Sequence, residues 1–233
     1  MVPSDASELP SRKNLATAIT LLERLGIIDF SGHFSVRLPD GNILINTGSS
    51  IRCALTTDDF VVVSPDGVGA EHSPAPPAEL PLHLAVYQAR PDVHAVVHCH
   101  PEWSTLLSSA GHEYQVALPQ GALLGNVPVF PSPMSVNNTR IAGAVASKLA
   151  DGRAVLLRAH GSVVAGKDIL ETAVMAIYLE LNAERQVRAA MFGEPYVFSP
   201  EETSSLRQSL EKRGLFEKCW SYYTAKFGLD NPV

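Results

Sequence analysis

Apolar positions along SRKNLATAITLLERLG fall at Leu15, Ala18, Ile19, Leu22 and Leu25 and stop at Gly26, a spacing that predicts an amphipathic helix with a glycine cap. The period then shortens to two. HFSVRLPDGNILINTG alternates on either side of a PDGN turn and DDFVVVSPDGV repeats the pattern, so antiparallel strands are expected. Further on, AELPLHLAVYQAR, PEWSTLLSSA and VNNTRIAGAVASKLA read as helices, HAVVHCH as a strand, and RAVLLRAHGSVVAG as a strand pair broken at His160-Gly161. DILETAVMAIYLELNAERQVRAAMF predicts the longest helix, and two shorter helices follow it. EHSPAPPAE is a stiff proline-rich loop leading to Glu79. The pattern predicts one α/β domain over residues 1–233, an αβα sandwich on a largely antiparallel central sheet.

Composition narrows the function. The chain has 233 residues, 45% of them hydrophobic, enough for a sizeable core. Against 18 basic residues stand 24 acidic ones, a net charge of −6, and no Lys/Arg run could neutralise a phosphate backbone, which argues against nucleic acid as a partner. The three cysteines, Cys53, Cys99 and Cys219, are widely spaced and odd in number, which fits reduced thiols. MVPSDASELPSRKN has no apolar leader core, and no apolar run reaches the roughly 18 residues of a membrane span, so a soluble, cytoplasmic protein is expected.

The stretch PPAELPLHLAVYQARPDVHAVVHCHP places one glutamate and four histidines among apolar residues. On a strand, side chains two apart share a face, so His98 and His100 point together while Cys99 points away. Two imidazoles at a strand end suit a cation, and His160, beside a flexible glycine at another strand end, is the best third ligand. Three ligands leave a position open for substrate. His94 shares the parity of the pair without an evident role, and His72, His83 and His112 are assigned to surface or core polar contacts.

Glu79 at the head of a helix, the HxH after it, the distant HG at His160-Gly161 and the upstream SGHFSVRL…INTG together resemble the class II aldolase/adducin family over roughly residues 10 to 195. The resemblance implies a divalent cation held by His98, His100 and His160, with Glu79 as a ligand that can also act as acid or base. It implies a nine-stranded antiparallel sheet between helices. It also implies a homotetramer with active sites between subunits, which Tyr222 or Tyr223 could reach.

The departures from the family pattern bear on substrate. Sugar-phosphate members bind phosphate with a GN pair, a TG pair and two serines before the glutamate; here these are Gly32-His33, Thr47-Gly48 and Pro77-Ala78. Proline lacks the N–H and alanine the hydroxyl, so donors to a phosphate are missing. His33, Thr47, Gly48, Ser49, Ser50 and Arg52 offer in their place a set suited to a carboxylate. No tyrosine stands at Leu118-Pro119-Gln120, where the resemblance places a proton-donating tyrosine of the aldolases.

The chemistry implied is cleavage of a C–C bond beside a metal-held oxygen through an enolate-type intermediate. The pattern is closest in character to decarboxylases of hydroxylated aromatic or pyridine dicarboxylates, with Glu79 or His33 returning the proton. Zinc, manganese, cobalt and iron all accept such ligands. The alternatives are a retro-aldolase on an unphosphorylated hydroxy-carbonyl substrate, a non-haem iron oxygenase, and a metal-free interaction module.

Overall fold

A computed structural model describes residues 8–231. Its centre is a seven-stranded sheet in the order β3-β2-β1-β4-β7-β6-β5. The strands are β1 (His33–Arg37), β2 (Ile43–Asn46), β3 (Phe60–Val63), β4 (Ala95–Cys99), β5 (Val129–Phe130), β6 (Ala154–Leu157) and β7 (Gly161–Gly166). The first two form the PDGN hairpin with Ser35 opposite Ile45, and Gly41 takes a left-handed φ of 89° in its turn. Five of the six pairings are antiparallel, but β5 runs parallel to β6, with Val129 opposite Leu156.

The sheet therefore corrects the expectation of nine antiparallel strands: among the described residues it has seven, and it is mixed. The overlooked strand, β5, is two half-buried residues between Pro128 and Pro131. Proline on both sides reads as loop, and two residues are too few to show a period.

Helices α1 (Leu9–Arg24), α2 (Leu80–Ala89), α3 (Glu102–Ser109), α4 (Thr139–Leu149), α5 (Ile169–Ala190), α6 (Pro200–Leu210) and α7 (Arg213–Phe227) complete the chain. Asn138 and Asp168 accept N–H bonds as caps of α4 and α5, and Ser199 with Glu202 forms a capping box on α6. Strand alternation divides the core in two. Phe34, Val36, Ala95, Val97 and Cys99 pack with α1, α5 and α7, whereas Val96, Val155 and Val163 pack with α2 and α4 on the opposite face. The result is three layers, αβα. His33, Ser35 and His98 share the parity of Val96 and so face α2, which carries His83 and Tyr87.

Candidate metal and active site

Three strand ends and one helix start meet at the site. His33 opens β1 and stands opposite His98 in the β1–β4 register. His100 lies just past β4, His160 lies in the turn joining β6 to β7, and Glu79 is the residue before α2. The β6–β7 turn depends on unusual backbone: Ala159 has φ 53°, and a Cβ on Gly161 would lie 2.2 Å from Cys99 O and 2.9 Å from the His100 ring. Only glycine lets the His160 turn lie so close to the end of β4.

One ligand atom each from Glu79, His98, His100 and His160 lies within 4.8 Å of the others. The chain thus brings all four residues of the expected set together, and Glu79 Oε2 is 3.2 Å from His98 Nε2 while Oε1 is 4.0 Å from His160 Nε2. Oε1 also accepts the Ser135 hydroxyl at 2.9 Å and the Val136 N–H at 2.6 Å, which fixes the carboxylate from its outer side.

The hydrogen-bond partners decide the tautomers. His98 Nδ1 is 3.0 Å from Ser162 O, which can only accept, and His100 Nδ1 is 2.9 Å from the Asp29 carboxylate. A neutral imidazole carries one N–H, so both Nδ1 atoms hold it and both Nε2 atoms present lone pairs. Those lone pairs face each other at 3.0 Å. Two such acceptors beside a carboxylate repel unless a cation lies among them, so the residues fit a divalent metal, and the N₃O donor set suits zinc, manganese, cobalt or iron.

Burial disfavours the charged form of His33, His100 and His160. It lowers His33 and His160 from the usual value to about 4 and also lowers His100, although Glu79 and Asp29 act in the opposite sense. Burial alone would raise Glu79; the contact from His33 and the Val136 N–H act in the opposite sense, and the group stays ionised well below the usual carboxylate range.

Of the remaining expected residues, His33 is buried against Glu79, with Nε2 3.4 Å from Oε2. Arg52 is buried as well: Nε donates to Gly32 O at 2.7 Å, and Nη1 donates to Ser50 Oγ at 2.7 Å and to the carbonyls of Ser50 and Thr47. It therefore ties the loop before β1 to the turn after β2, and only Nη2 lacks a partner among the described residues. Gly48 N–H is engaged by Ala75 O at 3.0 Å; Ser49 is exposed and Thr47 buried. Tyr223 packs beside Tyr178 and Cys219, and exposed Tyr222 meets it edge to face; neither bonds to the histidine cluster within the described chain.

Cys99 is fully buried, its thiol pushed up to about 12, and His72, His94 and His112 are exposed. The sequence reading passed over Asp29 and Ser135. For Asp29 a signal existed: Asp-Phe-Ser-Gly makes an Asx turn in which Oδ1 accepts the N–H groups of Ser31 and Gly32 before meeting His100.

With this geometry, residues 13–187 match the family described as Class II Aldolase and Adducin N-terminal domain. The chain belongs to that family. Among class II aldolase relatives, the 3,4-dihydroxyphthalate decarboxylase of Arthrobacter keyseri is 30% identical over 198 residues, covering 78% of this chain and 80% of its own. The 3-oxo-tetronate 4-phosphate decarboxylase of Escherichia coli K12 is 35% identical over 160 residues, covering 66% and 74%. The crystal structure of YgbL from Escherichia coli superposes with a TM-score of 0.76 at 31% identity, covering 86% of this chain and 99% of that one. These relatives support a lyase.

Proposed function

We propose that this chain is a divalent-metal-dependent carbon–carbon lyase that decarboxylates a hydroxylated aromatic or pyridine (di)carboxylate. The observation that carries the reading is the convergence of the His98 and His100 lone pairs with Glu79 and His160. These four residues would hold one divalent ion, zinc, manganese, cobalt or iron, per subunit. When bound, the ion supplies Lewis acidity, polarising the substrate oxygen beside the bond to be broken.

Glu79 is the proton carrier. As an ionised carboxylate held from outside by Ser135 and Val136, it is placed to take the proton of a ring hydroxyl and return it to the carbon that loses carbon dioxide. His33 stands beside it. A second carboxylate would meet Arg52 Nη2 and the Thr47 and Ser49 hydroxyls. Pro77 and Ala78 carry no hydroxyl, and the Gly48 N–H is engaged by Ala75 O, so an unphosphorylated acid is favoured over a sugar phosphate.

The same site supports retro-aldol cleavage, because both reactions leave electrons on the carbon next to a held oxygen. The relative acting on 3-oxo-tetronate 4-phosphate makes a phosphorylated acid the rival substrate. The test is a screen of hydroxylated aromatic dicarboxylates, with a phosphorylated keto acid included, for carbon dioxide against aldehyde release, each ion supplied in turn. Oxygen consumption in the same assay would indicate an oxygenase instead. The family resemblance also supports a cytoplasmic homotetramer, which sedimentation would test. Among the described residues no helix is long and apolar enough to cross a membrane.

A further inference from the structure

Behind His33 a buried file of polar groups runs inward to the Tyr87 hydroxyl, whose ring packs among the apolar residues between the sheet and α2. His33 Nδ1 is 2.7 Å from His83 Nε2, His83 Nδ1 is 2.6 Å from Ser35 Oγ, and Ser35 Oγ is 2.8 Å from the Tyr87 hydroxyl. His33, Ser35, His83 and Tyr87 are each no more than 5% exposed. Hydrogen bonds in such a file share one polarity, since each imidazole has one donor and one acceptor nitrogen and serine has one hydrogen.

Both ends select the same polarity. At the inner end, the Tyr87 hydroxyl has Ser35 Oγ as its acceptor, and burial raises Tyr87 so that it keeps its proton. Ser35 then donates to His83 Nδ1 at 2.6 Å in preference to Val96 O at 3.5 Å, which leaves the His83 hydrogen on Nε2, donating to His33 Nδ1. At the outer end, the Glu79 carboxylate, which already accepts from the Ser135 hydroxyl and the Val136 N–H, takes an N–H from His33 Nε2. Reversing the file would aim a lone pair at a carboxylate and leave a buried phenol without an acceptor.

We propose that His83, with Ser35 and Tyr87 behind it, is a positioning residue that locks His33 in its Nε2–H tautomer as a fixed donor to Glu79. The kinetic part of the test below rests on the lyase reading above. The tautomer lock itself does not.

The test is ring-nitrogen NMR on ¹⁵N-histidine-labelled protein loaded with Zn²⁺, with signals assigned through His33→Asn and His83→Gln. Protons on Nε2 of both His33 and His83 are expected; a proton on His33 Nδ1 overturns the proposal, whether or not any substrate is turned over. In the decarboxylase assay His83→Leu should lower kcat about tenfold with KM within about twofold, and His83→Gln, whose amide can donate to the same nitrogen, should recover most of it. Wild-type kcat in a folded His83→Leu variant would also overturn it. If that variant does not fold, the wild-type spectrum still decides.

Discussion

Asp29 Oδ1 accepts the Nδ1–H of His100 at 2.9 Å while holding the N–H groups of Ser31 and Gly32, so one carboxylate oxygen sets both the loop before β1 and the tautomer of a candidate ligand. Burial would raise Asp29, but His100 and the two N–H groups keep it low, and it remains charged at neutral pH. A carboxylate behind a ligating imidazole fixes its orientation and raises its basicity. Asp29→Ala should weaken metal binding by about 10- to 100-fold, measured by chelator competition, with Asp29→Asn intermediate because its amide oxygen can still accept. Undiminished affinity in the alanine variant would reduce Asp29 to a loop-shaping role.

Glu79→Gln separates charge from shape. The amide keeps an oxygen for the Ser135 hydroxyl and the Val136 N–H, so the start of α2 should stay in place. It cannot carry a proton. The variant should lose about 10²- to 10⁴-fold in kcat while retaining secondary structure by circular dichroism. A variant with near-normal turnover would assign the proton transfer elsewhere.

The sequence made the site legible wherever one residue type at a fixed spacing implies one geometry. The two-residue step from His98 to His100 predicts imidazoles on one side at the strand end, and His160-Gly161 marks a tight strand-to-strand turn; in the structure His100 lies one residue past β4 with its Nε2 3.0 Å from that of His98, and the turn joins β6 to β7. What stayed hidden depends on contacts between distant segments. Ser135 reaches Glu79 across 56 positions and His83 reaches His33 across 50, and nothing local in SPMSV or LPLHLAV announces either. The sequence names Arg52 as a carboxylate partner, but its burial and its bond to Gly32 O, twenty residues earlier, depend on a distant contact of the same kind.

Gly161 gives a test of how closely the site is built. A Cβ there would lie 2.2 Å from Cys99 O, a backbone atom that cannot swing aside as a flexible side chain could. Gly161→Ala must therefore separate the His160 turn from the end of β4. A loss of at least about 1–3 kcal/mol is expected in urea unfolding, with reduced metal content in whatever folds. Wild-type stability together with wild-type metal content would mean that the close approach is unnecessary.

Acid should destabilise the metal-free protein well before its carboxylates titrate. Burial lowers His33 from 6.5 to about 4 in the folded chain, so between those values the unfolded chain binds a proton here that the folded chain refuses. Stability therefore falls as pH drops through that window, by up to about 1.4 kcal/mol per pH unit for one such group and on the order of 3 kcal/mol in total. His160, lowered to about 4, acts in the same direction, and so does His83. Glu79 has the opposite charge type: its folded value is depressed below 4.5, so its contribution is complete above that pH and is lost only on further acidification. Urea midpoints measured with chelator present should thus fall steadily from pH 7 to 5, and His33→Asn should flatten the slope. A wild-type midpoint that does not change between pH 6.5 and 5 would mean that these imidazoles take up protons without unfolding the chain.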